Sequence, residues 1–194
     1  MKNYFKNLKI LKDGNAYLKN MEHDACGVGL IASTEGKKSR KIVEYGINAL
    51  KAVFHRGAVD ADGKTGDGAG IHLEIPSDFF SEKIEITGHS HDGSEICVGM
   101  IFLPRNNYEA QENARTLVES ELTKSNFNIY GWRQVPVNPK VLGEKANLTR
   151  PEITQVLFKH NNKNLNGKDL ERKLYESRRK IEKEAIKNAI DGFY

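Results

Sequence analysis

The stretch from Ile96 to Leu103 is an almost unbroken apolar run that stops at Pro104, and it limits the possible folds more than any other part of the chain. A short apolar run closed by proline predicts a buried β-strand. Directly after it, Asn107 can cap a helix that extends to about Ser125, with apolar residues recurring on one face. A buried strand followed closely by an amphipathic helix indicates a domain that mixes both kinds of element.

The same two patterns predict further elements along the chain. Strands are expected at 27–32, 69–75, 127–135 and 153–158, and helices from Ser39 to about Phe54 and over 168–190. Residues 82–93 are polar and suit a surface connection, whereas 136–150 are mixed in character. Because strands and helices do not alternate as regular βαβ units, a doubly wound parallel sheet is not favoured, and the expected fold class is α+β.

The composition excludes several classes of protein. The chain has 194 residues, 38% of them apolar and 29% charged, which fits one substantial globular domain. No segment approaches the roughly 18 apolar residues of a membrane-spanning helix. The 30 basic and 26 acidic residues are spread out, so no nucleic-acid surface is indicated. Two cysteines and no signal-peptide pattern favour a cytoplasmic location.

Cys26 stands immediately before a glycine-spaced apolar segment that begins at Gly27. A free cysteine in such a place is commonly a small buried residue at the start of a core strand. The alternative is catalytic. If the bond between Ala25 and Cys26 is cut, one residue carries both a thiol and an α-amine, and the ordinary pKa of that amine, about 8, lets it accept a proton near neutral pH. Such a residue holds a nucleophile and a base in fixed geometry.

Residues 57–70 form a second unusual segment, dominated by glycine and aspartate. Such a loop adopts backbone angles that other residues avoid. It is not a Walker phosphate loop, because Gly63-Lys64-Thr65 lacks the upstream glycine at the required spacing. It is not an EF-hand either, because counting from Asp60 puts Lys64 at the fifth ligand position and Ile71 at the twelfth. A purely structural turn is the alternative to a functional loop.

Together these segments resemble the N-terminal glutamine amidotransferase domain of glutamate synthase large subunits. The Cys26-Gly27 start and the Arg56-Gly57 after the first helix are shared by class II glutamine amidotransferases, whereas the string from Asp62 to Gly70 is more particular to glutamate synthases. The resemblance covers residues 22–194, with further matching segments at Val98–Leu103, Tyr130–Arg133, Val141–Glu144, Glu171–Leu174 and Arg178–Lys183.

The resemblance implies a fold and a set of site residues. The fold would be the αββα sandwich of N-terminal-nucleophile hydrolases, incomplete at its C-terminal side. Residues 1–25 would be a propeptide or leader, and residues 26–194 the N-terminal part of the amidotransferase domain. Cys26 would be the catalytic nucleophile, and four residues would bind substrate and shape the site: Arg56, Gly57, Asp67 and Gly68. No metal site is implied, and Cys97, inside an apolar run, is expected to be inert.

The implied reaction is the release of ammonia from L-glutamine for transfer to 2-oxoglutarate in glutamate biosynthesis. In the whole family enzyme the second step uses FMN and an iron–sulfur cluster, with electrons from NADPH or ferredoxin. No cofactor is expected in this segment. The implied partners are the remainder of the synthase polypeptide and a small electron-donating subunit, with no nucleic acid and no membrane.

Two parts of the family site do not occur before Tyr194. One is an arginine, within Arg-Phe-Ser-Thr-Asn, that binds the glutamine α-carboxylate; the other is an Asn-Gly that completes the oxyanion hole. Asn166-Gly167 has the wrong neighbours for that role. Loss of an oxyanion donor lowers rates roughly 100- to 1000-fold, so the 194-residue chain alone is expected to be inactive. Two alternatives stay open: a different class II amidotransferase, or a truncated, non-catalytic fragment.

Overall fold

A computed structural model of the protein describes residues 6–7, 9–10, 13, 27–54, 57–66, 68–190 and 192–194. The chain divides into two units, Met1–Gly57 and Ala58–Tyr194, and each is described by itself. The described residues that precede Gly27 are exposed and helical.

Helix α1, Arg40–Ala52, lies in the first unit and confirms the helix predicted after Ser39. Ser39 occupies the N-cap position with extended backbone angles, although its side chain makes no capping hydrogen bond. Within the helix, Arg40 Nε donates to Glu44 Oε1 at 3.3 Å, one turn away. The helix ends at Ala52, two residues before the predicted end near Phe54, and Val53 and Phe54 are not α-helical.

The strand predicted at 27–32 is wrong. The described residues from Gly27 to Ser33 have no strand structure, and Val28 and Leu30 are 94% and 89% exposed. A strand persists only where a neighbouring strand pairs its backbone N–H and C=O groups. The described part of the first unit offers no such neighbour, so the apolar pattern alone does not produce a strand there.

The second unit contains most of the regular structure. In chain order its elements are α2 (Ser77–Ile86), β1 (Cys97–Leu103), α3 (Tyr108–Lys124), β2 (Phe127–Gln134), a 3₁₀ turn (Pro139–Val141), α4 (Glu144–Thr149), β3 (Glu152–His160) and α5 (Gly167–Lys187). The strands predicted at 96–103, 127–135 and 153–158 are confirmed, as are the helices predicted at 107–125 and 168–190.

The three strands form one antiparallel sheet in the order β1-β3-β2. Cys97 lies opposite Phe158 and Leu103 lies opposite Glu152, so β1 pairs along its whole length with β3. The register between β2 and β3 shifts between Ile129 and Gly131. That irregularity suits Gly131, whose φ of 148° is one that side-chain-bearing residues rarely adopt.

Helices α3 and α5 pack on one face of this sheet and form the main core. Asn107 caps α3, because its side-chain oxygen accepts a hydrogen bond from Ala110 N at 3.0 Å. The buried members of this core come from all three strands and from the two helices: Cys97, Ile101, Leu103, Ala114, Val118, Leu122, Phe127, Val156, Phe158, Leu170 and Ile181. Cys97 belongs to the core, as the sequence predicted.

Helix α2 covers part of the opposite face of the sheet and corrects the prediction for 82–93. Phe80 and Ile84, four residues apart and therefore on one helical face, are buried against the sheet. The start of the segment predicted as a surface connection, 82–93, is thus helix. The strand predicted at 69–75 is wrong for the reason given above: Ile71 and Leu73 are 45% and 43% exposed, and no strand of the described chain runs beside them.

The mixed segment 136–150 holds the 3₁₀ turn and the short helix α4. Among the described residues, no helix combines the length and the apolar character needed to cross a membrane. The second sheet of the expected αββα sandwich does not occur in the part of the chain that the structure describes, so mixed α and β content is what the fold establishes.

Candidate active site

Three of the predicted site residues, Cys26, Arg56 and Asp67, lie outside the described residues. Gly57 is described and follows α1, where its N–H donates to Phe54 O at 3.1 Å. Gly68 is exposed, and a Cβ added to it would meet no atom within 4 Å. Because Gly57 and Gly68 belong to different units, each is described without reference to the other.

The best-defined part of the site is the segment Ala58–Gly66, here called the Asp-Gly loop. Val59 and Gly66 form an antiparallel bridge, and Asp60 N donates to Thr65 O at 2.6 Å. At the tip, Gly63 has a φ of +68°, which favours glycine over any other residue. The loop is therefore a closed turn that ends one residue before Asp67.

Asp62 holds this turn together from inside. Its Oδ1 accepts hydrogen bonds from Lys64 N at 2.9 Å and Thr65 N at 2.7 Å. Its Oδ2 accepts from the Thr65 hydroxyl at 2.5 Å. An aspartate that bonds backbone groups two and three residues ahead is a common way of closing a turn. The Thr65 hydroxyl, followed by the two backbone donors, holds the pKa of Asp62 well below its usual range.

The Asp-Gly loop docks on the start of α4. A Cβ added to Gly143 would overlap Thr65 Oγ1 and Asp62 Oδ2, so only glycine fits this approach. Lys145 Nζ lies 2.6 Å from Asp60 Oδ2. The backbone N–H of Glu144 also bonds the Asp62 carboxylate and contributes to its low pKa. Two segments about eighty residues apart in the chain are thus joined by polar contacts and close packing.

This docking fixes the loop relative to the sheet. Helix α4 leads directly into β3, and Arg105, just after β1, donates through Nη1 to Asn147 O at 3.1 Å. The position of the backbone that enters Asp67 and Gly68 therefore depends on the residues of α4. The contacts can hold the Asp-Gly loop in a fixed position relative to β3.

Sequence reasoning missed Gly143 and Lys145 as contributors to this region. The Asp62-x-x-Thr65 spacing was a usable local signal, because it is typical of an aspartate that closes a turn. The contacts of Gly143 and Lys145 had no comparable signal, since nothing in a local pattern specifies a partner so distant in the chain. Asn166 and Gly167 proved to be the start of α5, with Gly167 at a φ of +51°.

Cys97 has no nucleophilic character in the structure. It is 3% exposed within the main core, and burial, followed by repulsion from Glu95 and Glu171, raises the pKa of its thiol to about 12. Since the thiolate is the reactive form, this thiol is inert near neutral pH. Across the described ranges, no three His, Cys, Asp or Glu side chains gather closely enough to hold a metal ion.

The amino-acid sequence is similar to those of known proteins. The sequence pattern of the family described as Glutamine amidotransferases class-II matches residues 26–194. The glutamate synthase (NADPH) large chain of Azospirillum brasilense is 52% identical over 188 residues, which is 97% of this chain and 12% of that protein.

Ferredoxin-dependent glutamate synthases are similar at greater distance. The protein of Pyropia yezoensis is 39% identical over 163 residues, 84% of this chain and 10% of that protein. The chloroplastic ferredoxin-dependent glutamate synthase 2 of Arabidopsis thaliana is 39% identical over 176 residues, 89% of this chain and 11% of that protein. The chain thus spans 10–12% of the length of these curated relatives.

Proposed function

Because the chain belongs to the class II glutamine amidotransferases and is homologous to glutamate synthases, we propose that it is the start of a longer synthase that releases ammonia from L-glutamine and transfers it to 2-oxoglutarate. The observation that carries the proposal is the place where the family match begins, residue 26, which is Cys26. The leader, residues 1–25, is a propeptide whose removal exposes the α-amine of Cys26.

Cys26 performs the first chemical step. Its thiolate attacks the carbonyl carbon of the glutamine side-chain amide, forming a C–S bond and a tetrahedral oxyanion. The α-amine takes the thiol proton and delivers it to the leaving nitrogen as the C–N bond breaks and ammonia departs. Water then hydrolyses the thioester, which releases glutamate and restores the thiol. The burial of Cys97 supports this assignment, because it removes the only other cysteine from consideration.

The remaining predicted site residues shape the glutamine pocket. Arg56 and Gly57 follow α1, and Asp67 and Gly68 follow the Asp-Gly loop. The docking of that loop on Gly143 supports a positioning role, because it holds the backbone immediately before Asp67.

For the fold, we propose the αββα sandwich, in which the described sheet is one of two. Support comes from apolar side chains of the second unit that are still exposed. Met100, on the sheet face opposite α3 and α5, is 47% exposed. Ile71 and Leu73, which lie outside the described strands, are 45% and 43% exposed. A second sheet packed on this face would remove the exposed part of Met100 from water, and a strand formed by the segment with Ile71 and Leu73 would bury these side chains as well.

The electron-transfer parts of the reaction lie outside this chain. FMN and an iron–sulfur cluster in the longer protein would pass reducing equivalents to the synthase step. NADPH or ferredoxin would be the electron donor, and each is the donor that the name of one of the relatives gives for that relative. A small electron-donating subunit is a further proposed partner. With only two cysteines in the chain, a reducing compartment such as the cytoplasm is the proposed location.

A glutamine analogue that carries a diazo-ketone tests the proposed nucleophile. In the full-length protein, the expected result is an adduct on Cys26, detected by mass spectrometry and prevented by excess L-glutamine. Cys97→Ala should label normally, and Cys26→Ala should not label. An adduct on Cys97, or glutamine hydrolysis by the Cys26→Ala protein at the normal rate, would overturn the proposal.

A further inference from the structure

The outer edge of β1 already carries the beginning of another strand. β1 is an edge strand, since β3 pairs with only one side of it. On the other side, Phe102 N donates to Tyr194 O at 2.7 Å and Tyr194 N donates to Phe102 O at 3.0 Å. Two residues that exchange both hydrogen bonds form the repeating unit of an antiparallel ladder. Tyr194 is therefore in register with β1, and the outward backbone groups of Met100 and Val98 follow next along the edge.

The side chains beside this edge are arranged for a strand as well. Residues directly opposite each other in an antiparallel pair point to the same face, so Phe193 points toward α5, and it packs against the main core. The next residue on that face, the one after Tyr194, would enter a groove of about 900 Å³ between β1 and α5. The groove is mainly apolar, with Gly99, Ile101, Ile181, Ala185 and Ile186 among its lining residues.

We infer that the edge of β1 accepts, as a fourth strand, the polypeptide that directly follows Tyr194 in the longer protein. The second residue after Tyr194 lies opposite Met100 and the fourth lies opposite Val98, while the first residue is apolar and fills the groove. Ile186, which is 82% exposed, and Met100 would then be covered. The inference rests on the proposed function in one respect: the existence of the longer synthase chain.

The continuing chain fits this edge better than a second copy of the protein. A second copy would have to displace Tyr194 and break its two hydrogen bonds with Phe102. It would also lose translational and rotational freedom on binding, whereas the next residues of the same chain are already held at the edge by Tyr194. Covering a bare strand edge with the protein's own chain is a common way to prevent association.

Amide hydrogen exchange in the 194-residue chain and in the full-length protein tests the inference. The amides of Val98 and Met100 should exchange at least about tenfold more slowly in the full-length protein than in the 194-residue chain. The amides of Gly99 and Ile101, which face β3, serve as internal references because they are bonded in both forms. Unchanged exchange at Val98 and Met100 would overturn the inference. Protection of these amides in the 194-residue chain that rises with concentration, together with a dimer in sedimentation, would assign the edge to a second copy and would overturn it too.

A variant pair separates the edge from the rest of the fold. Met100→Pro removes the outward N–H that Met100→Ala keeps. If a strand is bound at this edge, the proline variant therefore loses a hydrogen bond that the alanine variant retains. We expect Met100→Pro to lose more stability, relative to Met100→Ala, in the full-length protein than in the 194-residue chain. An equal difference in both would contradict the inference. Neither measurement needs glutamine turnover, and the full-length Cys26→Ala protein should keep the protection, so this test can fail without the proposed function failing.

Discussion

Gly143 lies so close to Thr65 that a single added methyl group would overlap the threonine hydroxyl. The two residues are far apart in the chain, yet this approach brings the Asp-Gly loop against the first turn of α4. The ion pair between Asp60 and Lys145, at 2.6 Å, lies beside it. The loop that precedes Asp67 is therefore positioned by a segment whose own place is set by the sheet.

Replacing Gly143 by alanine should destabilise the protein. The backbone of Gly143, at φ −69° and ψ 166°, is one that alanine adopts easily, so the penalty comes from the overlap with Thr65 and Asp62. Forcing an extra carbon into packed surroundings typically costs about 1–3 kcal/mol. Urea denaturation of the variant should show a free energy of unfolding lowered by that amount.

Gly70→Ala is the matched control for Gly143→Ala. A Cβ there meets nothing within 4 Å, and the residue does not have a positive φ. Alanine should be neutral or should stabilise by about 0.4–1 kcal/mol through the unfolded chain. Equal effects of the two substitutions would show that the contact between Gly143 and Thr65 is not tight in solution.

The Asp62 carboxylate should make stability depend on pH. Its pKa is held below the ordinary value by the Thr65 hydroxyl and backbone donors, so the native state releases this proton more readily than the unfolded state. The stabilisation is present above the ordinary carboxyl pKa of about 3.9 and is lost as the pH falls toward the lowered folded value. We expect Asp62→Asn to be less stable than the natural protein at pH 7, with the difference shrinking below about pH 4. Denaturation curves at several pH values measure this, and a difference that is constant with pH would contradict it.

The elements that the sequence predicted correctly are those that bury their apolar pattern within the described fold. The run at 96–103 and the helix after Asn107 bury apolar faces that are visible in the sequence, and both formed as expected. The segments 27–32 and 69–75 carry similar apolar patterns but have no strand beside them in the described chain. A strand depends on a partner that a local pattern does not specify, and for the same reason the contacts of Gly143 with the Asp-Gly loop could not be predicted.

Cys97 should resist alkylation in the folded protein. Burial raises the pKa of its thiol to about 12, so almost none of it is thiolate at pH 8. Iodoacetamide should modify Cys97 only after denaturation in urea, and peptide mapping by mass spectrometry distinguishes the two cysteines. Cys97→Ala should leave the modification of Cys26 unchanged. Rapid modification of Cys97 under native conditions would mean that this part of the core opens in solution.

The cap of α3 should contribute measurably to stability. The side chain of Asn107 accepts from Ala110 N at 3.0 Å, and loss of such a cap costs about 1 kcal/mol. Asn166 occupies the same position before α5 but makes no side-chain capping bond. Thermal and urea denaturation should therefore show a lower free energy of unfolding for Asn107→Ala and a much smaller decrease for Asn166→Ala. A larger loss for Asn166→Ala would contradict this account of the two helix starts.

The proposed chemistry requires Cys26 to be the first residue of the mature protein. The most direct test is the mass of the N-terminal peptide in full-length enzyme that hydrolyses glutamine. We expect a peptide that begins at Cys26, with residues 1–25 absent. An active enzyme whose N-terminal peptide still contains Met1 would contradict it, because the α-amine that serves as the base would then be part of a peptide bond.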